Sequence, residues 1–330
     1  MSIGRTPVDP DSISGAISSK IFVLAICTYQ RPQMLLNCLA SINKIDVPSD
    51  WSLEVVVIDN EPALSSKKKD IDVNFELFYR HEPIRGIPNA RNNAINFALE
   101  RRAEVLGFID DDETVSNNWL QSMLTTFEKY ECDVVQGPVK HKFEWKRPFW
   151  LSDPSDKERE TGTQLNTAAT NNVSLNCQLI APSPHGLNLR FDEDLRFTGG
   201  SDTAFFYKAT DLGATIVWSN EPVVTESIPV SRATMLWHLR RVCRTEANAS
   251  LLYKNRKGVV KAVVKYTPKI TIRLCKATGL SIAVILMLPL GKKVLAKTFF
   301  RAARNAMTAT GAFLGLFNIQ LQPYKKTDGY

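Results

Sequence analysis

Four consecutive carboxylates, Asp110, Asp111, Asp112 and Glu113, follow directly on the apolar run Leu106-Gly-Phe-Ile109. At the end of a buried strand they would repel one another strongly unless a cation or hydrogen-bond donors sat among them. Oxygen-only ligands suit Mg2+ or Mn2+, which commonly bind through one or two carboxylates and complete their shell with phosphate oxygens of a substrate. The plain alternative, a solvated acidic turn leading into a helix, fits an isolated Asp-Asp-Asp better than one placed behind an apolar strand. Two further polar groups end apolar runs in the same way: Cys27-Thr28-Tyr29-Gln30-Arg31 after Leu24-Ala-Ile26, and Asp59-Asn60 after Val55-Val-Val-Ile58. None of these ends carries Gly-x-Gly-x-x-Gly, and no Gly-x-x-x-x-Gly-Lys-Ser/Thr occurs in the chain, which disfavours dinucleotide enzymes and P-loop ATPases. The six cysteines never approach closer than eleven residues and the four histidines do not pair with them, so zinc-ligand spacing is missing and free thiols in a reducing compartment are expected.

The elements that must hold these groups alternate. Short β-rich runs at Ile21–Ile26, Leu53–Ile58, Phe75–Tyr79, Val105–Ile109 and Val134–Val139 are interleaved with helical patterns at Pro32–Ile42, Ile87–Arg102 and Asn117–Tyr130. A βαβα order predicts a largely parallel sheet covered by helices, and continuously apolar strands predict burial on both faces. Pro32 suits a first helical turn, with Met34, Leu35, Cys38, Leu39 and Ile42 forming one stripe behind it. Open sheets of this kind bind ligands at the carboxyl ends of their strands, where the polar groups lie.

Taken in order, Ile26-Cys-Thr-Tyr-Gln-Arg31, Val56-Val-Ile-Asp-Asn60, Gly86-Ile-Pro-Asn-Ala-Arg-Asn92 and Phe108-Ile-Asp-Asp-Asp-Glu113 resemble the inverting, GT-A-fold glycosyltransferases of family 2. The likeness continues through Thr170-Asn-Asn-Val-Ser174 and Phe191–Thr203, over about residues 21–245, and within the family is closest to bacterial exopolysaccharide enzymes of the succinoglycan type. The resemblance implies an α/β fold of the GT-A, Rossmann-like kind, a mixed and mostly parallel sheet with helices on both faces. It implies that Thr28, Tyr29 and Arg31 line the nucleobase and ribose side of a donor pocket and that Asp59 accepts a hydrogen bond from a uracil imide. Arg91 would face the nucleotide, Asp110 would reach the ribose or the metal, and Asp112 would ligate Mg2+ or Mn2+ directly. Asp111, lying between them in an extended segment, is expected to point elsewhere. The family's catalytic base is an Asp in a Glu-Asp pair opening a helix, and here it matches Asp202; Ser201 replaces the Glu. A plain helix cap is the competing role for Asp202. No Gln-x-x-Arg-Trp occurs, which disfavours processive polymer extension and favours single-sugar transfer. Phe143-Glu-Trp-Lys-Arg-Pro-Phe-Trp150 offers four aromatics either to an acceptor sugar or to the anchoring of a loop.

The formal charge of +7 is a sum of opposites: residues 251–330 hold fifteen Lys/Arg and one acidic residue, Asp328, a balance of +14, and residues 1–250 carry 26 basic and 33 acidic residues, a balance of −7. An acidic body argues against a nucleic-acid groove, so no nucleic-acid partner is expected. The expected organisation is a flexible leader over 1–19, a catalytic domain over 20–232 with a nucleotide-binding half (20–112) and an acceptor half (113–232), and a basic helical region over 233–330. In that last region Trp237, Arg240, Arg241 and Arg244 share one helical face, suited to a membrane interface or a phosphate-bearing acceptor. The uncharged stretch 277–291 is fifteen residues, short of the roughly twenty needed to span a bilayer. Peripheral association with an anionic leaflet on the cytoplasmic face of the inner membrane is expected, with a marginal hairpin as the alternative. The expected partners are a nucleotide-sugar donor and a lipid-linked or glycan acceptor. Rival readings are a sugar-nucleotide pyrophosphorylase, which would need a Gly-rich loop after the first strand, and a non-catalytic nucleotide-sugar-binding assembly protein.

Overall fold

The computed structural model describes residues 19–61, 72–151, 159–287, 291–319 and 321. The leader expected over 1–19 lies outside them except for its last residue. The first strand, β1 (Lys20–Thr28), has five consecutive residues with no exposed surface, Phe22 to Ile26, and therefore needs cover on both faces. Odd and even positions go to different cores. Val23 and Ala25 join Ala94, Phe97, Phe205 and Phe206, while Phe22, Leu24 and Ile26 join Leu39, Ile42, Trp119 and Met123. The first group brings in helices α2 (Ile87–Glu100) and α4 (Ser201–Asp211), the second α1 (Pro32–Ile42) and α3 (Trp119–Tyr130). The result is a three-layer α/β sandwich.

The central sheet has eight strands. Its first half is parallel: β3 (Glu76–His81), β2 (Trp51–Asp59), β1 and β4 (Val105–Asp110) lie side by side in that order. The chain thus moves outward from β1 to β3 and returns to pair β4 on the other side of β1. That reversal opens a crevice at the carboxyl ends of β1 and β4, with Cys27 opposite Asp110. The second half is mixed: β9 (Asn172–Asn176) is antiparallel to both β4 and β6 (Val134–Gln136), and β10 (Ile216–Trp218) joins β6 to β8 (Gln164–Leu165).

One expected strand is two. The run Val134–Val139 breaks at Gly137-Pro138, and its continuation, β7 (Val139–Phe143), enters a separate three-stranded sheet with β5 (Glu113–Val115) and β11 (Val224–Ile228). Buried Asn172 organises the break: its amide donates to the carbonyls of Pro138 (2.9 Å) and Pro222 (2.7 Å), and its Oδ1 accepts from the Trp119 indole (2.8 Å).

Beyond the sheets, α5 (Met235–Lys257), α6 (Val259–Leu286) and α7 (Lys292–Leu316) stack together. Gly311 and Gly315 on α7 lie directly on the carbonyls of Cys243 and Ala247 on α5, so any side chain there would strike backbone. Lys254, nearly buried, donates to the Leu316 carbonyl and to Asn318 Oδ1 at 2.6 Å, placing a cation at the negative end of α7. Lys269 on α6 meets Glu246 on α5, and Arg273 meets Asn305 on α7. These pairings make α5 and α7 parallel, with α6 running back between their directions.

Candidate active site

The crevice between β1 and β4 continues into a cleft of about 890 Å3, within the size range of small-molecule sites. Its floor is Cys27, Thr28, Tyr29 and Arg31 after β1 and Asp110, Asp111 and Asp112 after β4. Asn60, Arg91, Ser201 and Asp202 line it as well.

Asp111 does not point away. It is 4% exposed, accepts from Thr28 Oγ1 at 2.8 Å and from Arg31 at 3.0 Å, and ties the two strand ends together. The chain turns sharply after β4, so the alternation of an extended segment does not carry through. Asp112 is held by two guanidiniums, Arg31 at 3.4 Å and Arg232 at 3.1 Å, both through Oδ2. Arg232 is buried and also reaches Glu226 Oε1 at 3.0 Å. Burial pushes Glu226 up, but His141, Arg241 and Arg232 outweigh it and hold its carboxyl below the usual range.

Arg232 and Glu226 were not expected. Glu226 had a signal in the sequence: it shares inward parity with Val224 and Ile228 on β11, and a carboxylate at an inward position requires a partner. Nothing local marks Arg232. Asn60 is a third addition, since its amide donates to the Glu82 and Ile84 carbonyls and its Oδ1 accepts from Gly86 N–H, fastening the loop that opens α2. From α2, Arg91 donates to Ser201 Oγ at 3.3 Å and lies over the Phe191 ring, so the serine that replaces the family's Glu is bonded to a cleft arginine.

Asp59 ends β2 beside the cleft; its Oδ1 accepts from Glu61 N–H at 3.1 Å in a local turn, and the neighbouring Asn60 lines the cleft. Asp202 is on the wall and is not the helix cap. The cap of α4 is Gly200, whose φ of +86° favours glycine, while Asp202 sits inside the first turn and accepts from Thr203 N–H at 2.8 Å through Oδ1.

Burial pushes Asp110 up to about 7, opposed by Arg91 and reinforced by Asp112, Asp111 and Glu226. An unfolded chain releases that proton near 3.8, so the folded state holds the extra proton between about 4 and 7, and this group's contribution to stability falls as pH rises through that window. Asp110→Asn in metal-free protein is therefore expected to raise Tm more at pH 8 than at pH 5; an equal change at both would show that Asp110 does not titrate in the fold. Cys27 also lines the cleft, but burial pushes its thiol up to about 12, so it is no nucleophile at neutral pH.

Among the described residues no three His, Cys, Asp or Glu side chains converge as a ready metal cage. Asp110 and Asp112 do fit a hard divalent ion as a partial, two-carboxylate shell, because such ions take their remaining ligands from phosphates and water.

The aromatic stretch divides. Trp150 is 8% exposed and packs on His238 of α5 and Phe300 of α7, which is anchoring, whereas Trp145 is 75% exposed and Phe149 is exposed too. The boundary expected at 232/233 is crossed by the cleft, because Trp237, Arg240, Arg241 and Arg244 of α5 line it.

A family model described as glycosyl transferase family 2 matches residues 23–185. The succinoglycan biosynthesis protein ExoM of Rhizobium meliloti (strain 1021) is 30% identical over 244 residues, covering 72% of this chain and 77% of its own length. Among solved structures, the mannosyltransferase PcManGT from Pyrobaculum calidifontis, in complex with GDP-Man and Mn2+, superposes with a TM-score of 0.56 at 15% identity, covering 94% of this chain and 91% of its own. GalNAc-T7 with UDP, GalNAc and Mn2+ gives 0.51 at 15% identity, covering 72% of this chain and 51% of its own. These structural likenesses are of fold.

Proposed function

The chain belongs to glycosyl transferase family 2, and from that premise we propose that it transfers one hexose, with inversion, from a UDP-linked donor to a lipid-linked or glycan saccharide in polysaccharide synthesis. One observation carries this reading: the acidic turn after β4 and Asp202 at the start of α4 line a single cleft at the sheet's switch point. The relative's name supports the polysaccharide setting, and the metal and nucleotide-sugar complexes of the structural neighbours support the donor class.

In the transfer, a lone pair of the acceptor hydroxyl forms the new bond to the anomeric carbon. The bond from that carbon to phosphate breaks, and its electron pair leaves on the diphosphate. Asp202 takes the hydroxyl proton from the face opposite the leaving group, its Oδ2 being the oxygen not committed to Thr203. Thr28 and Tyr29 form the nucleoside side of the cleft, and Arg91 presents a planar cation to the donor. Arg31 and Arg232 hold Asp112 oriented into the cleft. Asp110 and Asp112 would hold Mg2+ or Mn2+, which would supply Lewis-acid stabilisation of the departing charge.

Membrane association is part of the proposal. On α6 the exposed side chains Val260 (77%), Val264, Ile282, Ile285 and Leu286 (76%) share a face without charge, and Lys261, Lys265 and Lys276 flank it. From Val260 to Leu286 this face extends about 39 Å at 1.5 Å per residue, and basic flanks suit an anionic leaflet on the cytoplasmic side. No helix among the described residues is long and apolar enough to cross a membrane.

The test is a panel of UDP- and GDP-sugars with Mn2+ and lipid extract of the native membrane. The expected result is one sugar transferred from a UDP donor into the lipid fraction, with an inverted anomeric centre. Sugar 1-phosphate released only with pyrophosphate would indicate the pyrophosphorylase, and nucleotide-sugar binding without transfer or hydrolysis would indicate the assembly protein.

A further inference from the structure

The side chain of Asp112 is 6% exposed, and a carboxylate so buried needs a cation or hydrogen-bond donors beside it whether or not a metal is bound. The fold supplies two guanidiniums, and each has a carboxylate of its own. Arg31 is held by Asp111 at 3.0 Å and reaches Asp112 Oδ2 only at 3.4 Å. Arg232 comes closer to Asp112, at 3.1 Å, and the same nitrogen, Nη1, lies 3.0 Å from Glu226 Oε1. A guanidinium Nη carries two N–H groups, so one can serve each carboxylate.

Glu226 is placed to keep its arginine. On β11 it lies between Glu113 of β5 and His141 of β7, and His141 Nε2 is 3.3 Å from its other oxygen, Oε2. Burial works against the ionised carboxyl, but His141, Arg241 and Arg232 more than offset it. Arg232 itself is buried, in the short turn Val230–Arg232 that joins β11 to α5. When the bond to Asp112 is given up, Arg232 keeps Glu226 and its own charge is not stranded. That exchange is what a hard divalent ion requires, because such ions bind carboxylate oxygens directly and Oδ2 of Asp112 is the oxygen that both arginines reach.

We infer that Arg232 is the resident counter-cation of Asp112: it neutralises the acidic turn when no metal is bound, yields Asp112 to the divalent ion, and stays in place on Glu226. Arg232 is thus a positioning residue, acting on the reaction through Asp112. The inference rests on the metal-dependent reading of the acidic turn. A guanidinium beside an Asp weakens the carboxylate's hold on a proton by roughly 10- to 1,000-fold, and an incoming metal ion meets the same competitor. An arginine that only orients a ligand, or only braces the turn, would instead leave metal binding weaker or unchanged on its removal.

The test is Mn2+ binding to the full chain without nucleotide, followed through the electron paramagnetic resonance signal of free Mn2+, with thermal melts of the same proteins. R232Q is expected to bind Mn2+ at least about tenfold more tightly than wild type, R232K to stay within about threefold of it, and D112N to lose the binding. By linkage, the Tm that R232Q loses without metal should be partly recovered in saturating Mn2+. Should R232Q fail to fold, E226Q and E226Q/R232Q make the same comparison without stranding a charge at Glu226, and the double variant should bind Mn2+ more tightly than E226Q. Unchanged or weaker Mn2+ binding on removal of Arg232, with D112N still abolishing it, would overturn the inference and leave the metal reading standing. Mn2+ binding that D112N does not alter would overturn both, as would an absence of binding in wild type and R232Q alike.

Discussion

Asp202→Asn is expected to lower sugar transfer by roughly 100- to 10,000-fold, the usual worth of a positioned general base, with UDP affinity and melting temperature close to wild type. The amide keeps the shape and can still accept from Thr203 N–H through its oxygen, so the first turn of α4 retains its bond. Because Gly200 is the cap, the substitution does not remove one, which separates this variant from a merely structural one. The decisive measurement is a split between kcat and donor KM. A fall in kcat alone supports the base; full activity would remove Asp202 from the chemistry, and a large loss of Tm at unchanged kcat would mark it as a structural residue.

Asp112→Ala should act from the other end of the reaction, on the departing diphosphate. Removing one preorganised electrostatic group of this kind costs on the order of 100- to 1,000-fold in rate, and here the loss should be accompanied by a weaker dependence on Mn2+ and weaker UDP binding. The fold should survive. Stripping one partner from a buried ion pair costs about 3–5 kcal/mol when the other charge is stranded, but Arg232 keeps Glu226 and Arg31 keeps Asp111. Transfer measured across a Mn2+ titration, with a thermal melt beside it, checks both halves. Wild-type activity with an unchanged Mn2+ response would exclude Asp112 as a ligand.

These two expectations depend on features of different legibility. The ends of β1 and β4 could be read because a doubly covered strand is a continuous apolar run and its end is marked by the first polar residues. Thr28, Tyr29, Arg31, Asp110 and Asp112 were identified in that way, together with the ordered motifs, and all of them line the cleft. Asp202 was carried over from the family's Glu-Asp pair through the likeness over Phe191–Thr203. Alternation along β2 says which face a side chain takes but not that the Oδ1 of the strand's last residue, Asp59, accepts from Glu61 N–H in a local turn.

What the sequence by itself determined is local and periodic: the α/β class, the order of elements, the strand ends that bear carboxylates and the split between an acidic body and a basic tail. The tertiary structure decided the rest. It alone brought Arg232 to Asp112 across 120 residues, divided Val134–Val139 between two sheets, buried Trp150 while leaving Trp145 exposed, and turned the arginine face of α5 into the cleft. The physical reason is that hydrophobic period reports only which side of an element meets the core. Which charged groups then face one another depends on where distant segments pack, and no local pattern encodes that partner.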